Sequence, residues 1–278
     1  MIFTYSKTGD RHIALNRPSD DALKVFRVKN YSAVILSDGC SSSKFGFEAS
    51  NHIVNHLSEF LHYPSAYTSW SKSPWEFFKE YMTLGKEEKL AKLIHNEILK
   101  ETKAMLERYS CERRDLCCTL MLALIEYDPK AKTNNALLLC IGDGVAASYN
   151  KKSRCASLIT EGDNIHGDPR RTYFCTSVNS AENMRVYRVS CFDSMLISSD
   201  GLPHGVDIHT EIDEFMNDTE SVLAPTDAQF GRSMNLLLSS YVLRDKHRDL
   251  GDDCTLAYYT TDKKAFKRLV RNNKFHRK

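Results

Sequence analysis

Short apolar segments bounded by turn residues recur along the chain and predict the strands of a β-rich fold. One of them, 116–127, is apolar almost throughout and predicts a strand buried on both faces. Turn residues near Asn30 and at 142–144 predict two hairpins between neighbouring segments. The predicted strands cover residues 22–29, 32–37, 116–127, 136–141, 145–150, 155–160, 184–189, 194–199 and 254–260.

Longer segments with apolar residues at helical spacing predict helices between these strands. The pattern covers 46–61, 86–109 and 226–244, and Pro74 and Gly85 bracket a shorter candidate helix. The elements therefore follow one another as strands, helices, strands, a helix and a final strand. This order favours an α+β sandwich of packed sheets with helices outside it, and not alternating βαβ units.

The composition fits a globular protein of a reducing compartment. The chain has 278 residues, of which 42% are hydrophobic and 27% are charged. Its apolar runs are shorter than the roughly 18–20 residues that span a bilayer. The N-terminal residues lack the apolar centre of a signal peptide. Nine cysteines are scattered without a Cys-x-x-Cys pair, so we expect free thiols and a cytoplasmic location.

Positive charge is concentrated at the C-terminus. The chain has a net charge of +2, yet residues 263–278 hold eight of the 38 Lys and Arg residues and none of the 36 Asp and Glu residues. We therefore divide the chain into a domain over 1–262 and a basic tail over 263–278. Such a tail can bind nucleic acid, acidic lipid or an acidic partner, or be a solvated terminal helix. Because Phe266 and Phe275 are the only Phe, Tyr or Trp residues among the basic ones of the tail, we regard nucleic acid as the least favoured partner.

Aspartates recur at the ends of the predicted strands. Any single Asp-Gly can be an ordinary turn, and the one at Asp143 is the best hairpin candidate because a strand follows it. Together the aspartates predict carboxylates that converge at one sheet edge, where they would repel each other and hold protons. A hard cation such as Mg²⁺ or Mn²⁺ removes this penalty. Three apolar strands end in Asp-Gly at Asp38, Asp143 and Asp200, and two strands follow the pairs Asp20-Asp21 and Asp252-Asp253.

The motifs in this order resemble those of the type-2C, metal-dependent (PPM) Ser/Thr protein phosphatases. The similarity extends from about Gly9 to Thr260 and is greatest for a bacterial branch of the family. It implies a four-layer αββα sandwich of two antiparallel sheets flanked by helices. The motifs that carry it are "GDRHIALNRPSDDA", "SAVILSDG" with "DGCSS", "CCTLMLALIEY", "LLLCIGDGVAASY", "RRTYFCT", "DSMLISSDGL" and "GDDCTLAYY".

Carried over by position, the resemblance implies two Mn²⁺ or Mg²⁺ ions, with a weaker third site. Asp38 would bridge two ions. Asp200 and Asp253 would complete the first site, and Asp21 would hold the second, partly through water. Asp143 would hold the third ion together with Asp200. The implied metal ligands are Asp21, Asp38, the Gly39 carbonyl, Asp143, Asp200 and Asp253.

The resemblance implies hydrolysis of phosphoserine and phosphothreonine in proteins, in a pathway that includes a Ser/Thr kinase. A hydroxide that bridges the two ions would attack phosphorus, and the alkoxide would leave. Arg17 is the candidate phosphate-binding arginine, although its spacing differs from that of the family. The alternative is a catalytically weak or inactive regulatory or binding module on the same fold.

Two further segments bear on the reaction. Residues 40–43 read Cys-Ser-Ser-Ser, where many family members carry a histidine that is a candidate general acid. A metal-bound water, His12 or His166 could supply the proton instead. Residues 161–182 take the place of the family's variable flap and could shape the choice of substrate.

Overall fold

The computed structural model describes residues 2–28, 31–62, 80–81, 85–160, 163, 172–202, 208–222, 229, 232–234, 236 and 252–261. Their strands form two five-stranded antiparallel sheets. The first sheet has the order β1 (Ile2–Lys7), β10 (Cys254–Thr260), β9 (Ser194–Ser198), β6 (Val145–Asn150) and β7 (Cys155–Leu158). The second has the order β2 (Asp21–Val28), β3 (Tyr31–Asp38), β4 (Leu120–Asp128), β5 (Thr133–Ile141) and β8 (Arg185–Phe192).

Helices cover the outer faces of both sheets. The described helices are α1 (Asp10–Ala14), α2 (Gly46–His62), α3 (Glu87–Tyr109), α4 (Ser180–Asn183) and α5 (Ile208–Val222), with a 3₁₀ turn at Arg113–Leu116. None of the described helices is long and apolar enough to cross a membrane.

Three clusters of buried apolar side chains fill the spaces between the four layers. In the first, Leu57 of α2 and Ile94 of α3 pack with Leu122 on the outer face of the second sheet. In the second, Met216 of α5 packs with Tyr258 on the outer face of the first sheet. The third cluster contains residues of both sheets and lies between them. Since β4 contributes to two of these clusters, the prediction that its segment is buried on both faces is confirmed, and so is the αββα sandwich.

One predicted hairpin is confirmed and the other is wrong. β2 and β3 pair along their whole length, with Asp21 opposite Asp38. β5 and β6, however, belong to different sheets, so residues 142–144 carry the chain from one sheet to the other. A glycine and an aspartate indicate where a strand ends, but not which strands the next one pairs with. β6 pairs with β7 and β9.

Several elements differ from the sequence-based expectation. The predicted helices at 46–61 and 86–109 and the remaining strands are found with small shifts of their ends. In contrast, β1, α1, α4 and α5 were not predicted. Most of the predicted helix at 226–244 and of the candidate between Pro74 and Gly85 lies outside the described residues, as does the basic tail.

The topology brings the acidic strand ends to the same edge of the sandwich. Asp38 ends β3, Asp143 follows β5 and Asp200 follows β9. β10 runs antiparallel to β9 and begins next to Asp200, so the residues that precede it return to this edge. The order and direction of the strands therefore bring the candidate site residues together at one end of the sandwich, where strands pass into loops.

Candidate metal centre

A cleft of about 630 Å³ opens at this edge and is strongly acidic. Four of its lining residues are aspartates: Asp38, Asp143, Asp200 and Asp252. The rest of the described lining comes from residues 39–42, Thr119, Thr172 and Phe174, and none of these carries a positive charge. A bound cation is therefore the natural partner of the carboxylates in this cleft.

Asp38 is held rigidly at the base of the cleft. Its backbone N–H donates to the hydroxyl of Thr119 at 3.1 Å, and the N–H of Thr119 donates to its carbonyl oxygen at 2.8 Å. The next residue, Gly39, packs against the backbone of Gly46, where a Cβ atom would lie 2.3 Å from the Gly46 oxygen. Only glycine fits such a close approach of two chains, so the Asp-Gly pair is required by packing as well as by chemistry.

Three carboxylates are spaced as a small cation requires. Asp38, Asp143 and Asp200 each offer one oxygen, and these oxygens all lie within 4.8 Å of one another. Oxygens on opposite sides of a Mg²⁺ ion are about 4.2 Å apart, because each lies about 2.1 Å from the metal. The three side chains can therefore share one cation after small rotations.

The electrostatics of the cluster indicate the same partner. Burial, and then the charges of Asp21 and Asp200, raise the pKa of Asp38 well above its ordinary value. Burial and the charges of Asp143 and Asp252 raise the pKa of Asp200 to about 7. Burial and mutual repulsion therefore disfavour the ionisation of these carboxylates together, and a counterion would relieve this cost.

The hydrogen bonding of the Asp21 carboxylate shows separately whether the site suits a cation. Burial raises the pKa of Asp21 well above normal, and the Ser199 hydroxyl donates to one of its oxygens at 2.9 Å. The other oxygen is buried and has no hydrogen-bond partner among the described residues. Because an unpaired buried acceptor is costly, this oxygen fits a cation or a water held by one.

The structure places Asp253 away from the cleft. It is 2% exposed, and its two oxygens accept hydrogen bonds from the N–H of Gly9 at 2.7 Å and the N–H of Asp20 at 2.5 Å. The Nδ1 atom of His12 lies 2.9 Å from the same carboxylate. These contacts occupy the carboxylate with protein partners, so Asp253 ties the N-terminal segment to β10 rather than facing the site.

The neighbouring Asp252 faces the cleft instead. It is exposed, lines the cleft and contributes to the raised pKa of Asp143 and of Asp200. Sequence reasoning missed it, although the signal was present. In "DDCT" it is Asp252, not Asp253, that precedes Thr255 by three positions, as the aspartate of the family's Asp-Asn-x-Thr motif precedes its threonine.

Two other predicted residues, Arg17 and His12, are not among the described residues that line the cleft. Arg17 is about 41% exposed on its side chain, and its guanidinium lies 3.8 Å from the Asp20 carboxylate. His12 is buried between Asp253 and Asp20, so it is not placed to protonate a leaving group in the cleft. His166 lies outside the described residues. The role of Arg17 in phosphate binding remains a prediction.

The flap segment contributes to one wall of the cleft. Thr172 and Phe174 face it, and Cys40 and Ser42 form the adjacent wall with their side chains 3.0 Å apart. Asp163 lies behind Thr172 and accepts its hydroxyl hydrogen bond at 3.1 Å. The predicted flap therefore borders the acidic cleft, as far as its residues are described.

A sandwich of two antiparallel sheets with carboxylates clustered at one edge defines a protein with an acidic cleft. Comparison with protein families gives the more specific result. The model of the family described as protein phosphatase 2C matches residues 8–238, and the chain belongs to this family. No curated protein sequence matches it.

Solved structures support the same fold. A bacterial serine phosphatase that bears a point mutation is 15% identical, with 94% of this chain and 97% of that chain covered and a TM-score of 0.60. The serine/threonine phosphatase Stp1 from Staphylococcus aureus is 15% identical, with 94% of each chain covered and a TM-score of 0.58. PstP/Ppp from Mycobacterium tuberculosis is 15% identical, with 93% and 97% covered and a TM-score of 0.55.

Metal binding should stabilise the protein more at higher pH. Because the folded pKa of Asp200 is raised to about 7, the metal-free protein loses stability as pH rises from the ordinary carboxylate range to about 7. A cation relieves this loss, so saturating Mn²⁺ should raise the melting temperature by roughly 5–10 °C near pH 8 and by clearly less near pH 5. Thermal denaturation with Mn²⁺ and with EDTA measures it. An equal shift at both pH values would contradict the carboxylate origin.

Proposed function

We propose that this protein is a metal-dependent protein serine/threonine phosphatase that hydrolyses phosphoserine and phosphothreonine. The observation that carries the proposal is the convergence of Asp38, Asp143 and Asp200 in a cleft whose described lining has no positive charge. Membership of the protein phosphatase 2C family supports the reaction type.

The proposed ligand set follows the family resemblance, with Asp252 in place of Asp253 because Asp252 lines the cleft. Asp38, Asp200 and Asp252 would hold one Mn²⁺ or Mg²⁺ ion. Asp21 and the Gly39 carbonyl, with Asp38, would hold a second. Asp143 would hold a third, more weakly, beside Asp200. Hard oxygen ligands favour Mg²⁺ or Mn²⁺ over zinc.

Bound cations would polarise the phosphoryl oxygens and lower the pKa of a water for attack on phosphorus. The protein contributes position and charge. Thr119 fixes the backbone of Asp38, so the central carboxylate need not reorganise during the reaction. Ser41 and Ser42 present hydroxyls on the cleft wall that can bind a phosphate ester. No side chain is required as a nucleophile.

The proposed partners follow from the reaction. The substrate would be a phosphorylated protein, which a Ser/Thr kinase must supply. We also propose a cytoplasmic location, because all nine cysteines are free, including the buried pair Cys118 and Cys175.

The direct test is hydrolysis of p-nitrophenyl phosphate and of a phosphothreonine peptide. We expect turnover with Mn²⁺ or Mg²⁺ and a loss of about 100-fold or more when EDTA removes the metal. A phosphotyrosine peptide serves as the control for substrate class and should be a poorer substrate. If neither phosphothreonine nor p-nitrophenyl phosphate is hydrolysed with Mn²⁺, the proposed activity is wrong.

One observation favours the alternative of a non-catalytic binding module. Cys40 and Ser41 stand where many family members carry a histidine, and the nearby His12 is buried between two carboxylates outside the cleft. A module of this kind would bind Mn²⁺ and a phosphopeptide in calorimetry without hydrolysing the peptide. The two functions therefore differ in turnover and not in binding.

A further inference from the structure

Arg185 connects two parts of the cleft from outside the carboxylate cluster. It is the first residue of β8 and lies opposite Cys140, one position before the end of β5. Its guanidinium donates to the carbonyl oxygen of Gly142 at 2.7 Å and lies 2.6 Å from one carboxylate oxygen of Asp163. Because Gly142 immediately precedes Asp143, Arg185 holds the loop that carries this carboxylate.

Asp163 extends the same network to the flap wall. Its other oxygen accepts hydrogen bonds from the Thr172 hydroxyl at 3.1 Å and from the Tyr173 N–H at 3.0 Å. Asp163 is 8% exposed, so its charge depends on these donors and on the guanidinium. Thr172 and Asp143 both line the cleft, and the network therefore links a candidate metal-binding loop to the wall that contains Thr172.

We propose that Arg185 is a positioning residue that holds the Asp143 loop and the Thr172 wall in fixed relation to each other. The inference rests on the proposed function, in which Asp143 is a metal ligand. A planar guanidinium suits this task because it presents several donors in a rigid geometry and can bind a carbonyl and a carboxylate together. Without it, Asp163 would be a buried charge without its cation, and the two walls would move independently.

The direction in which cation affinity changes when Arg185 is removed distinguishes a positioning role from a purely electrostatic one. Arg185 lies close enough to Asp143 for its charge to act on that carboxylate. Removal of a positive charge beside a cation site should, by charge alone, tighten cation binding. Weaker binding after removal of Arg185 would therefore report the loss of position.

Arg188 on the same strand offers a matched control. Its guanidinium also donates to a backbone carbonyl, that of Tyr81 at 3.2 Å, and to a carboxylate, that of Glu87. Glu87 is the first residue of α3, so these contacts lie on the helical side of the sheet and not at the cleft. Its side chain is 18% exposed, compared with 30% for Arg185.

The test compares wild type with Arg185→Met, Arg185→Lys and Arg188→Met. Calorimetry measures Mn²⁺ binding, and hydrogen exchange in EDTA measures the protection of residues 142–144 and 172–174. We expect Arg185→Met to weaken Mn²⁺ binding about 10–100-fold and to speed exchange in both segments. Arg188→Met should bind Mn²⁺ like wild type. Arg185→Lys should show a smaller loss, since one ammonium can keep only part of the network.

The outcomes distinguish this proposal from the proposed function. Wild-type Mn²⁺ affinity in Arg185→Met, or an equal loss in Arg188→Met, would overturn the positioning role. If wild type itself binds no Mn²⁺, the proposed function fails, and unchanged exchange in Arg185→Met would overturn the positioning role as well. If Arg185→Met does not fold, Arg185→Lys decides in the same comparison, where wild-type binding and exchange would overturn the proposal.

Discussion

Replacement of Asp38 by Asn is expected to lower kcat with Mn²⁺ by about 100–1000-fold. Asp38 contributes to the three-carboxylate cluster, and its backbone is fixed by Thr119. An amide has the same shape but no charge and only one acceptor oxygen, so it cannot replace a carboxylate shared between cations. Steady-state hydrolysis of a phosphothreonine peptide over a range of Mn²⁺ concentrations measures the loss.

The stability of the same variant should change in the opposite direction. In EDTA, Asp38→Asn removes one of several like charges, so its melting temperature should equal or exceed that of wild type. Asp128 supplies a matched control. It is also half-buried at the end of a strand, but its carboxylate accepts two backbone N–H bonds of an ordinary turn at the opposite edge of the sheet.

Asp128→Asn should therefore keep wild-type activity. Full activity in Asp38→Asn would contradict the proposed metal centre. If Asp38→Asn and Asp128→Asn lost activity equally, the effect would belong to the fold and not to the metal.

The layers of the fold could be predicted because they depend on local patterns. Apolar runs identified most strands, and apolar residues at helical spacing identified α2 and α3. Residues 142–144 show where this ends, since the same Asp-Gly signal suits a hairpin or a crossover between sheets. Only the partners of β6, which are β7 and β9, decide between the two. The pairing of β6 with β9 is long-range and leaves no trace in a short segment.

The candidate site could also be predicted only in part, because contacts between distant residues decide which of two neighbouring aspartates faces the cleft. Asp38, Asp143 and Asp200 could be predicted because each follows an apolar strand, and the structure brings them together. Asp252 and Asp253 could not be separated by that rule, since they are neighbours before one strand. The donors that capture Asp253 come from residues 9–20, which are more than 230 positions away.

Asp252 and Asp253 should therefore respond in opposite ways to the same substitution. Asp253→Asn is expected to lower the free energy of unfolding by about 2–4 kcal/mol, because its amide would face an N–H donor where the carboxylate accepted one. Asp252→Asn should leave stability in EDTA unchanged or higher, because it removes a like charge from an exposed position.

Metal binding should reverse the order of the two variants. Asp252→Asn is expected to weaken Mn²⁺ binding at least about 10-fold, whereas folded Asp253→Asn should bind Mn²⁺ with a smaller loss, through displacement of its neighbours only. Urea denaturation in EDTA and Mn²⁺ calorimetry on both variants measure the two properties separately. The assignment of Asp252 as the ligand fails if Asp253→Asn retains wild-type stability and loses Mn²⁺ while Asp252→Asn still binds it. Loss of stability in Asp253→Asn together with loss of Mn²⁺ binding in Asp252→Asn would show that the two adjacent aspartates have different roles. Asp253 would then fix the N-terminal segment, and Asp252 would face the cation.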